Sequence, residues 1–298
     1  MTDSVLMVGL GAVARTHLNV LADMPQVELI AGVDPSPPEP ITFRGLDLPV
    51  AATLHEVTET PTLIVIATPT STHSTLCHQA RELFPQAAIL VEKPAADDLA
   101  EAAKLLSDGV EVAFHMAYAP EVLWGEQMVR THDLGPVREI QAWFTDPYAA
   151  DLSTARERFT SSWIDSGINA LSVLTRFCDP LERLSLRQLN ESTYEARVRC
   201  ASGGDPFEAL IVTSWQVTDA ARRTTLRFAS GAELLLDHHA VAAYLTQSGQ
   251  IAEVFGTDGS IPRRESHYIN LYRRLLVDCR PLMPSEQSIL LHTLLLQD

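Results

Sequence analysis

Val5-Leu6-Met7-Val8-Gly9-Leu10-Gly11-Ala12-Val13-Ala14 opens the chain with an apolar run, two glycines and the start of a helix-like segment, Ala12 to Ala22. A short apolar run leading through Gly-x-Gly-x-x-Ala into a helix predicts a parallel strand that turns sharply into the helix above it. Gly9 permits the tight turn, Gly11 lets a pyrophosphate approach the backbone, and the small Ala14 lets helix and strand pack closely. By itself the spacing also suits an ordinary tight turn. Asp34 tips the reading toward a dinucleotide site. It ends the second apolar run, Val27 to Val33, and a carboxylate at the end of the second strand accepts hydrogen bonds from ribose hydroxyls. Because such a carboxylate repels a 2′-phosphate, NAD is the expected cofactor. Arg44, in the following loop, keeps NADP open.

Outward from this segment, Leu63 to Ala67, Ala88 to Val91 and Val110 to Phe114 are further apolar runs, separated by helix-like stretches Thr72 to Phe84 and Asp97 to Ser107. Alternating strands and helices predict a doubly wound parallel sheet covered on both faces. Asp97 is placed to cap its helix. Pro35-Ser36-Pro37-Pro38-Glu39-Pro40 breaks the rhythm, since four prolines exclude a helix interior and leave a loop in place of most of one crossover. Beyond about Tyr118 the pattern changes. A helix over Pro120 to Thr131, a strand over Val137 to Phe144, a loop and a helix after Asp165 precede strand-like runs at 183–189, 194–201, 207–216, 224–229, 233–237 and 251–255. Strands without intervening helices imply a large open, mostly antiparallel sheet. Helices from about Ser266 to Cys279 and Glu286 to Leu296 close the chain. The expected division is a dinucleotide-binding domain, 1–117, and an α+β domain for substrate binding and oligomerisation, 118–298, with the last helix free to pack back on the first.

The formal net charge of -16, with no Lys/Arg block, argues against nucleic acid or an anionic membrane as partner. Met1-Thr2-Asp3 runs directly into the first strand, without a basic region and apolar leader, so a cytoplasmic location is expected. The densest apolar run, Ile289 to Leu296, is far shorter than the roughly 20 residues of a membrane helix. Cys77, Cys178, Cys200 and Cys279 show no paired spacing, so neither a metal site nor a disulfide framework is expected.

Val91-Glu92-Lys93-Pro94 delivers a lysine at the carboxyl end of a buried parallel strand, where open α/β sheets bind their ligands. Thr68-Pro69-Thr70-Ser71-Thr72-His73 is a polar turn at the same sheet edge, either a contact for the nicotinamide half of a cofactor or a capped helix start. Asp165, Asn169 and Ser172 share one face of a helix, opposite an apolar stripe of Ile168, Leu171, Leu174 and Cys178. Taken alone, such a polar stripe simply faces water.

In order and over nearly the whole chain, these motifs resemble the Gfo/Idh/MocA family, named for glucose-fructose oxidoreductase and inositol dehydrogenase. That family has a glycine fingerprint, a T-P-x-x-x-H turn, an E-K-P motif and a D-x-G-x-H helix, represented here by Gly9 to Ala14, Thr68 to His73, Glu92-Lys93-Pro94 and Asp165-Ser166-Gly167-Ile168-Asn169. The resemblance implies cofactor contacts from Gly9, Gly11, Ala12, Val13, Asp34, Thr68, Pro69, His73, Glu92 and Lys93. It assigns catalysis to Lys93, Asp165 and Asn169, and a homodimer or homotetramer built on the open sheet. One position departs from the pattern: the usual catalytic histidine is Asn169, which can orient a hydroxyl but cannot exchange a proton near neutral pH. The run Asp165-Ser166-Gly167-Ile168-Asn169-Ala170-Leu171-Ser172 is similar to that of the family's L-arabinose and D-galactose 1-dehydrogenases, and 114–119 resembles their W-H-S-R-x-A stretch, which makes His115 a substrate ligand beside Lys93, Asp165 and Asn169.

The chemistry this implies is hydride transfer from C1 of a cyclic aldose to NAD, giving a lactone. Lys93 then accepts the hydroxyl proton in surroundings that favour its neutral amine. Asp165 shares or relays the proton, or fixes the hydroxyl. Trp143, Tyr148 and Trp163 are candidate sugar platforms or ordinary packing residues. Two alternatives stay open: redox chemistry at another carbon of a sugar, inositol or related molecule, and a catalytically silent NAD- and sugar-binding sensor.

Overall fold

By internal contacts the chain forms two units, Met1–Ala113 with Tyr268–Asp298, and Phe114–His267. The computed structural model describes residues 2–37, 41–217 and 220–297. Pro38, Glu39 and Pro40 of the proline-rich stretch lie outside the described residues, as do Met1 and Asp298.

The first unit is built on a six-stranded parallel sheet in the order Val50–Ala51, Val27–Val33, Asp3–Val8, Leu63–Ile66, Ala88–Val91, Glu111–Val112. Its inner strands are apolar nearly end to end because helices cover both faces; all four residues of Leu63–Ile66 are buried. The crossover after Val33 carries no helix among the described residues. Its place is taken by a small hairpin, Thr42–Phe43 with Leu46–Asp47, and the edge strand Val50–Ala51. The helix Leu99–Ser107 is capped by Asp98, whose Oδ1 accepts the Glu101 amide at 3.0 Å, and not by Asp97 as the sequence suggested. Asp98 is the residue three before that amide with an extended backbone, the geometry a cap requires. Against this helix lies the final one, Ser285–Leu296, with Leu291, Leu294 and Leu295 buried.

His292 is fully buried in that last helix, its Nε2 accepting the Ala95 amide at 2.9 Å and its Nδ1 donating to Ser288 O at 2.7 Å. Burial pushes the ring down to about 4, because a second proton would set an N–H against the Ala95 N–H. The unfolded chain binds that proton near the ordinary histidine value of about 6.5, so stability falls as pH drops from there toward 4. Urea denaturation over this window should show a loss of about 3 kcal/mol from this residue, and His292→Gln should remove most of it.

The second unit carries an eight-stranded sheet in the order Asp179–Asn190, Thr193–Ser202, Asp205–Ser214, Val137–Thr145, Ala221–Phe228, Glu233–Asp237, Ala242–Gln247, Gln250–Gly256. All pairs are antiparallel except Asp205–Ser214 with Val137–Thr145. One face is buried through Ile140, Ala142, Phe144, Ile211, Leu234 and Leu245. The helix Pro120–Thr131 packs there, and at Gly125 an added Cβ would stand 3.0–3.1 Å from Leu236 and Leu234. Two elements escape a reading by pattern. Ala242–Gln247 is a strand in a stretch with weak alternation, and Leu152–Phe159 is a helix within the expected loop, started by Asp151 Oδ1 accepting the Thr154 amide at 3.1 Å.

Candidate active site

In the first unit the register sets Val8 beside Val33 and Ile66, and Ile66 beside Val91. The residues that follow these strand ends, Gly9, Asp34, Ala67 and Glu92, therefore emerge along one sheet edge. Backbone bonds continue past each end: Gly9 N to Val33 O at 2.8 Å, Ala67 N to Val8 O at 2.8 Å, Glu92 N to Ile66 O at 2.9 Å. Gly9 sits at φ +84°, and a Cβ there would meet Ala67 O and Thr68 Cγ2 at 2.7 Å, so the turn requires glycine. Above Gly11 the space is open, with nothing within 4 Å of an added Cβ, and the helix Ala12–Ala22 begins with no side-chain cap. Its first amides are left to face an anion. They border a cleft of about 690 Å³ that Gly9, Gly11, Asp34, Thr68, Pro69 and Ser71 line among others. Ala12 and Val13 occupy the first turn of the helix, both exposed, but do not line the cleft.

Asp34 is half-buried, with Oδ2 accepting Leu10 N at 2.9 Å and Oδ1 accepting Ser36 N at 2.8 Å. One carboxylate thus ties the glycine turn to the end of the second strand. Arg44 is exposed but engaged: its guanidinium donates to Ala22 O at 2.7 Å, Val27 O at 3.0 Å, Leu21 O at 3.4 Å and also to Met24 O. It neutralises the carbonyl end of the fingerprint helix.

The Thr68 turn is part of the cleft, and the helix His73–Leu83 that follows it has no side-chain cap, so the capped helix start is not what the turn forms. Thr72 Oγ1 bonds Thr68 Oγ1 and Pro69 O, each at 2.8 Å. His73 is buried, its Nε2 2.9 Å from Thr68 O and its Nδ1 3.0 Å from Pro94 O. Burial holds it below the ordinary histidine range. Its ring braces the Thr68 turn against the E-K-P segment and is not among the residues lining the cleft. Glu92 is also inward, bonded to His17 Nε2 at 3.0 Å and to the Tyr268 hydroxyl, while Lys93 is half-buried.

In the second unit, Trp163–Gly167 forms a π-turn that runs into the helix Ile168–Leu174. The polar stripe does not face water. Asn169 and Ser172 are 7 % and 0 % exposed, because the helix is buried on every side. Ser172 Oγ bonds Asn169 O at 2.7 Å, and Asn169 Nδ2 donates to Asp165 O at 3.3 Å. Asn169 Oδ1 is buried with no partner among the described residues. Ser166 Oγ donates to Asp146 Oδ2 at 2.9 Å, and Asp146 is ion-paired with Arg222. Nearby, His115 stacks on His267 with ring centres 5.5 Å apart and the two Nδ1 atoms 3.3 Å apart. His267 is fully buried and held well below the ordinary histidine range by burial and by the Arg263, His238, Arg222 and Arg264 charges. Burial and the neighbouring Arg222 and Arg264 push Arg263 down to about 10.

The structure therefore adds polar groups that the sequence did not announce: Asp146, bonded to Ser166 of the π-turn and paired with Arg222, and His267, stacked on His115 beside the Arg263 charge. They come from separate strands and a helix and share no motif. Of the aromatic candidates, Tyr148 meets Trp215 edge-on at 5.9 Å, Trp163 is buried, and Trp143 is 46 % exposed on the sheet face opposite Phe144. Gly167 lets Trp163 fold over the π-turn, since a Cβ would stand 2.6 Å from its ring. Gly167→Ala should cost about 1–3 kcal/mol through this overlap, checked by urea denaturation.

Residues 4–109 match the profile of the Gfo/Idh/MocA family, described as an oxidoreductase family with an NAD-binding Rossmann fold. No curated protein matches the chain. Solved structures match it over almost its full length. A myo-inositol dehydrogenase from Corynebacterium glutamicum is 18% identical with a TM-score of 0.72, the alignment covering 99% of this chain and 94% of that one. A UDP-N-acetylglucosamine 3-dehydrogenase from Acidithiobacillus ferrooxidans is 16% identical with a TM-score of 0.77, covering 100% and 96%. A levoglucosan dehydrogenase, solved with NADH and levoglucosan, is 12% identical with a TM-score of 0.78, covering 99% and 95%. At such identities the likeness is one of fold. Residues 4–109 are thus similar to the NAD-binding Rossmann fold of the Gfo/Idh/MocA oxidoreductase family, and the glycine turn and its cleft lie within the matched stretch.

Proposed function

We propose that this chain is a Gfo/Idh/MocA oxidoreductase that uses NAD to oxidise a sugar or polyol hydroxyl, with C1 of a cyclic aldose as the reacting carbon and a lactone as product. The observation that carries the reading is the single sheet edge on which the glycine turn, Asp34, the Thr68 turn and Lys93 follow one another. The cradle fits a dinucleotide: an uncapped helix start, open backbone at Gly11 and a carboxylate at the rim. Bound there, NAD supplies the hydride acceptor. Two features favour it over NADP. Asp34 is held in place by two amides, and Arg44, the cation of the following loop, is engaged by the backbone carbonyls of Ala22 and Leu21 in the helix and of Val27 in the strand.

Gly9 and Gly11 hold the pyrophosphate end, with Ala12 and Val13 beside it at the start of the helix, and Thr68 and Pro69 border the nicotinamide end. His73 and Glu92 act from behind, by holding the Thr68 turn and Lys93. As C1 loses hydride its hydroxyl proton passes to Lys93, and Asp165 shares or relays that proton. Asn169, whose buried Oδ1 has an acceptor site to fill, orients a hydroxyl without exchanging a proton. His115, stacked on His267, is a further substrate contact. The levoglucosan and myo-inositol dehydrogenases among the structural neighbours support a sugar or polyol substrate. A second reading places the hydride at another ring carbon, and the 3-dehydrogenase neighbour favours it.

Absorbance at 340 nm with NAD and a panel of aldopyranoses and inositols tests the assignment. NADH formed from an aldose with lactone as product is expected; turnover of inositols alone moves the reaction to a secondary hydroxyl. Lys93→Met should abolish turnover and leave NAD affinity nearly unchanged, so retained turnover removes the lysine from the chemistry. Asp34→Asn should weaken NAD by about tenfold, through one charged hydrogen-bonding group, and narrow the gap to NADP, as read by titration with each cofactor.

A further inference from the structure

Two histidines of the second unit meet ring to ring. His115 begins the one-turn helix His115–Tyr118 and is half-buried; His267, on the helix Arg263–Tyr272, is fully buried. Their rings stack with centres 5.5 Å apart and planes 22° apart, and the two Nδ1 atoms lie 3.3 Å from each other. Such a contact holds a single proton, because one Nδ1 must donate and the other accept. Which of the two donates is decided on the far side of His267.

His267 Nε2 is buried without a partner among the described residues, and so is Nη1 of Arg263, one helical turn earlier on the same face. After burial itself, the groups that act most on His267 are Arg263 and Arg264 of its own helix, Arg222 of the strand Ala221–Phe228, and His238 just past the strand Glu233–Asp237. Each is a cation or can become one. Two have carboxylates of their own: Arg222 pairs with Asp146, and His238 Nδ1 lies 2.7 Å from Glu121 Oε1. Glu121 Oε2 is unpartnered, so it does not reach the free nitrogen of His267. Burial and the surrounding charges keep His267 neutral, with one N–H. On Nε2 that proton would sit among cations with no acceptor in reach. On Nδ1 it meets the His115 nitrogen and leaves a lone pair on the guanidinium side.

We propose that His267 is a positioning residue for His115: it donates from Nδ1 to His115 Nδ1, which leaves the His115 proton on Nε2 and makes that ring a fixed hydrogen-bond donor to a substrate oxygen. The inference rests on the reading of His115 as a substrate contact and states which half of the hydrogen bond it supplies. It also divides the chemistry. A ring whose Nδ1 is engaged and whose Nε2 already carries a proton takes none from the substrate. His115 therefore does not stand in for the proton-exchanging histidine that Asn169 replaces, and proton transfer stays with Lys93 and Asp165.

Long-range proton–nitrogen NMR of the full chain, carrying isotope-labelled histidine, reads the tautomers at neutral pH without turnover. His115→Phe and His267→Asn assign the two rings among the ten histidines. His267 should show its proton on Nδ1 and a bare Nε2, His115 the reverse, with a scalar coupling between the two Nδ1 atoms across the bond. Arg263→Met should move His267 toward the Nε2–H form, and Arg263→Lys should not. A proton on His267 Nε2, or on both of its nitrogens, overturns the proposal. On the sugar turned over in the 340 nm assay, His267→Phe, which keeps a ring in the stack, should raise KM about tenfold through one lost oriented hydrogen bond while kcat is nearly held. His267→Asn, whose amide N–H takes the place of Nδ1–H, should restore most of it; a KM that does not separate these two variants overturns the positioning role. His115→Phe with KM unchanged would instead remove the substrate contact and leave the tautomers standing, so the two readings fail separately.

Discussion

The alignment of strand ends in the first unit is the constraint on which the rest of its chemistry depends. Val8, Val33, Ile66 and Val91 lie side by side in the ladder, so the residues after them must emerge together. The ladder continues past each strand end through Gly9 N to Val33 O, Ala67 N to Val8 O and Glu92 N to Ile66 O. These backbone bonds set where the glycine turn, Asp34, Thr68 and Lys93 leave the sheet.

Supporting contacts then convert a placed edge into a rigid one. Asp34 pulls the glycine turn onto the second strand end, His73 joins the Thr68 turn to Pro94, and Glu92 draws the fingerprint helix toward Lys93 through His17. Each is a buried or half-buried polar group whose partners lie far along the chain. Left unpaired, any of them would cost on the order of 1–3 kcal/mol, so the network holds its geometry cooperatively. In the second unit the logic is similar, with Asp146 linking Ser166 of the π-turn to Arg222.

Legibility in the sequence followed periodicity and local chemistry. The helix Ala12–Ala22 and the strands Val27–Val33 and Ala88–Val91 have the bounds that their apolar runs suggested, since punctuating residues such as Gly11 and Asp34 stand at their ends. Weak alternation hid the strand Ala242–Gln247, and a polar composition hid the helix Leu152–Phe159. The helix after Asp165 was recognised, but its burial was misjudged: its polar stripe meets protein instead of water, which amphipathicity alone cannot reveal.

What the sequence determined by itself was the order of elements, the parallel and antiparallel sheets, the glycine turn and the candidate residues Asp34, Lys93, Asp165 and Asn169, because each depends on short-range pattern or on a motif of adjacent residues. Only the tertiary structure decided that Glu92 and His73 turn inward, that Arg44 caps a helix, that Asp146 links Ser166 of the π-turn to Arg222, and that His267 stacks on His115. Those outcomes rest on contacts between residues tens to hundreds of positions apart, such as His17 with Tyr272. No local preference encodes such pairs; they form because a closed interior leaves a buried polar group only the partners that folding brings within reach.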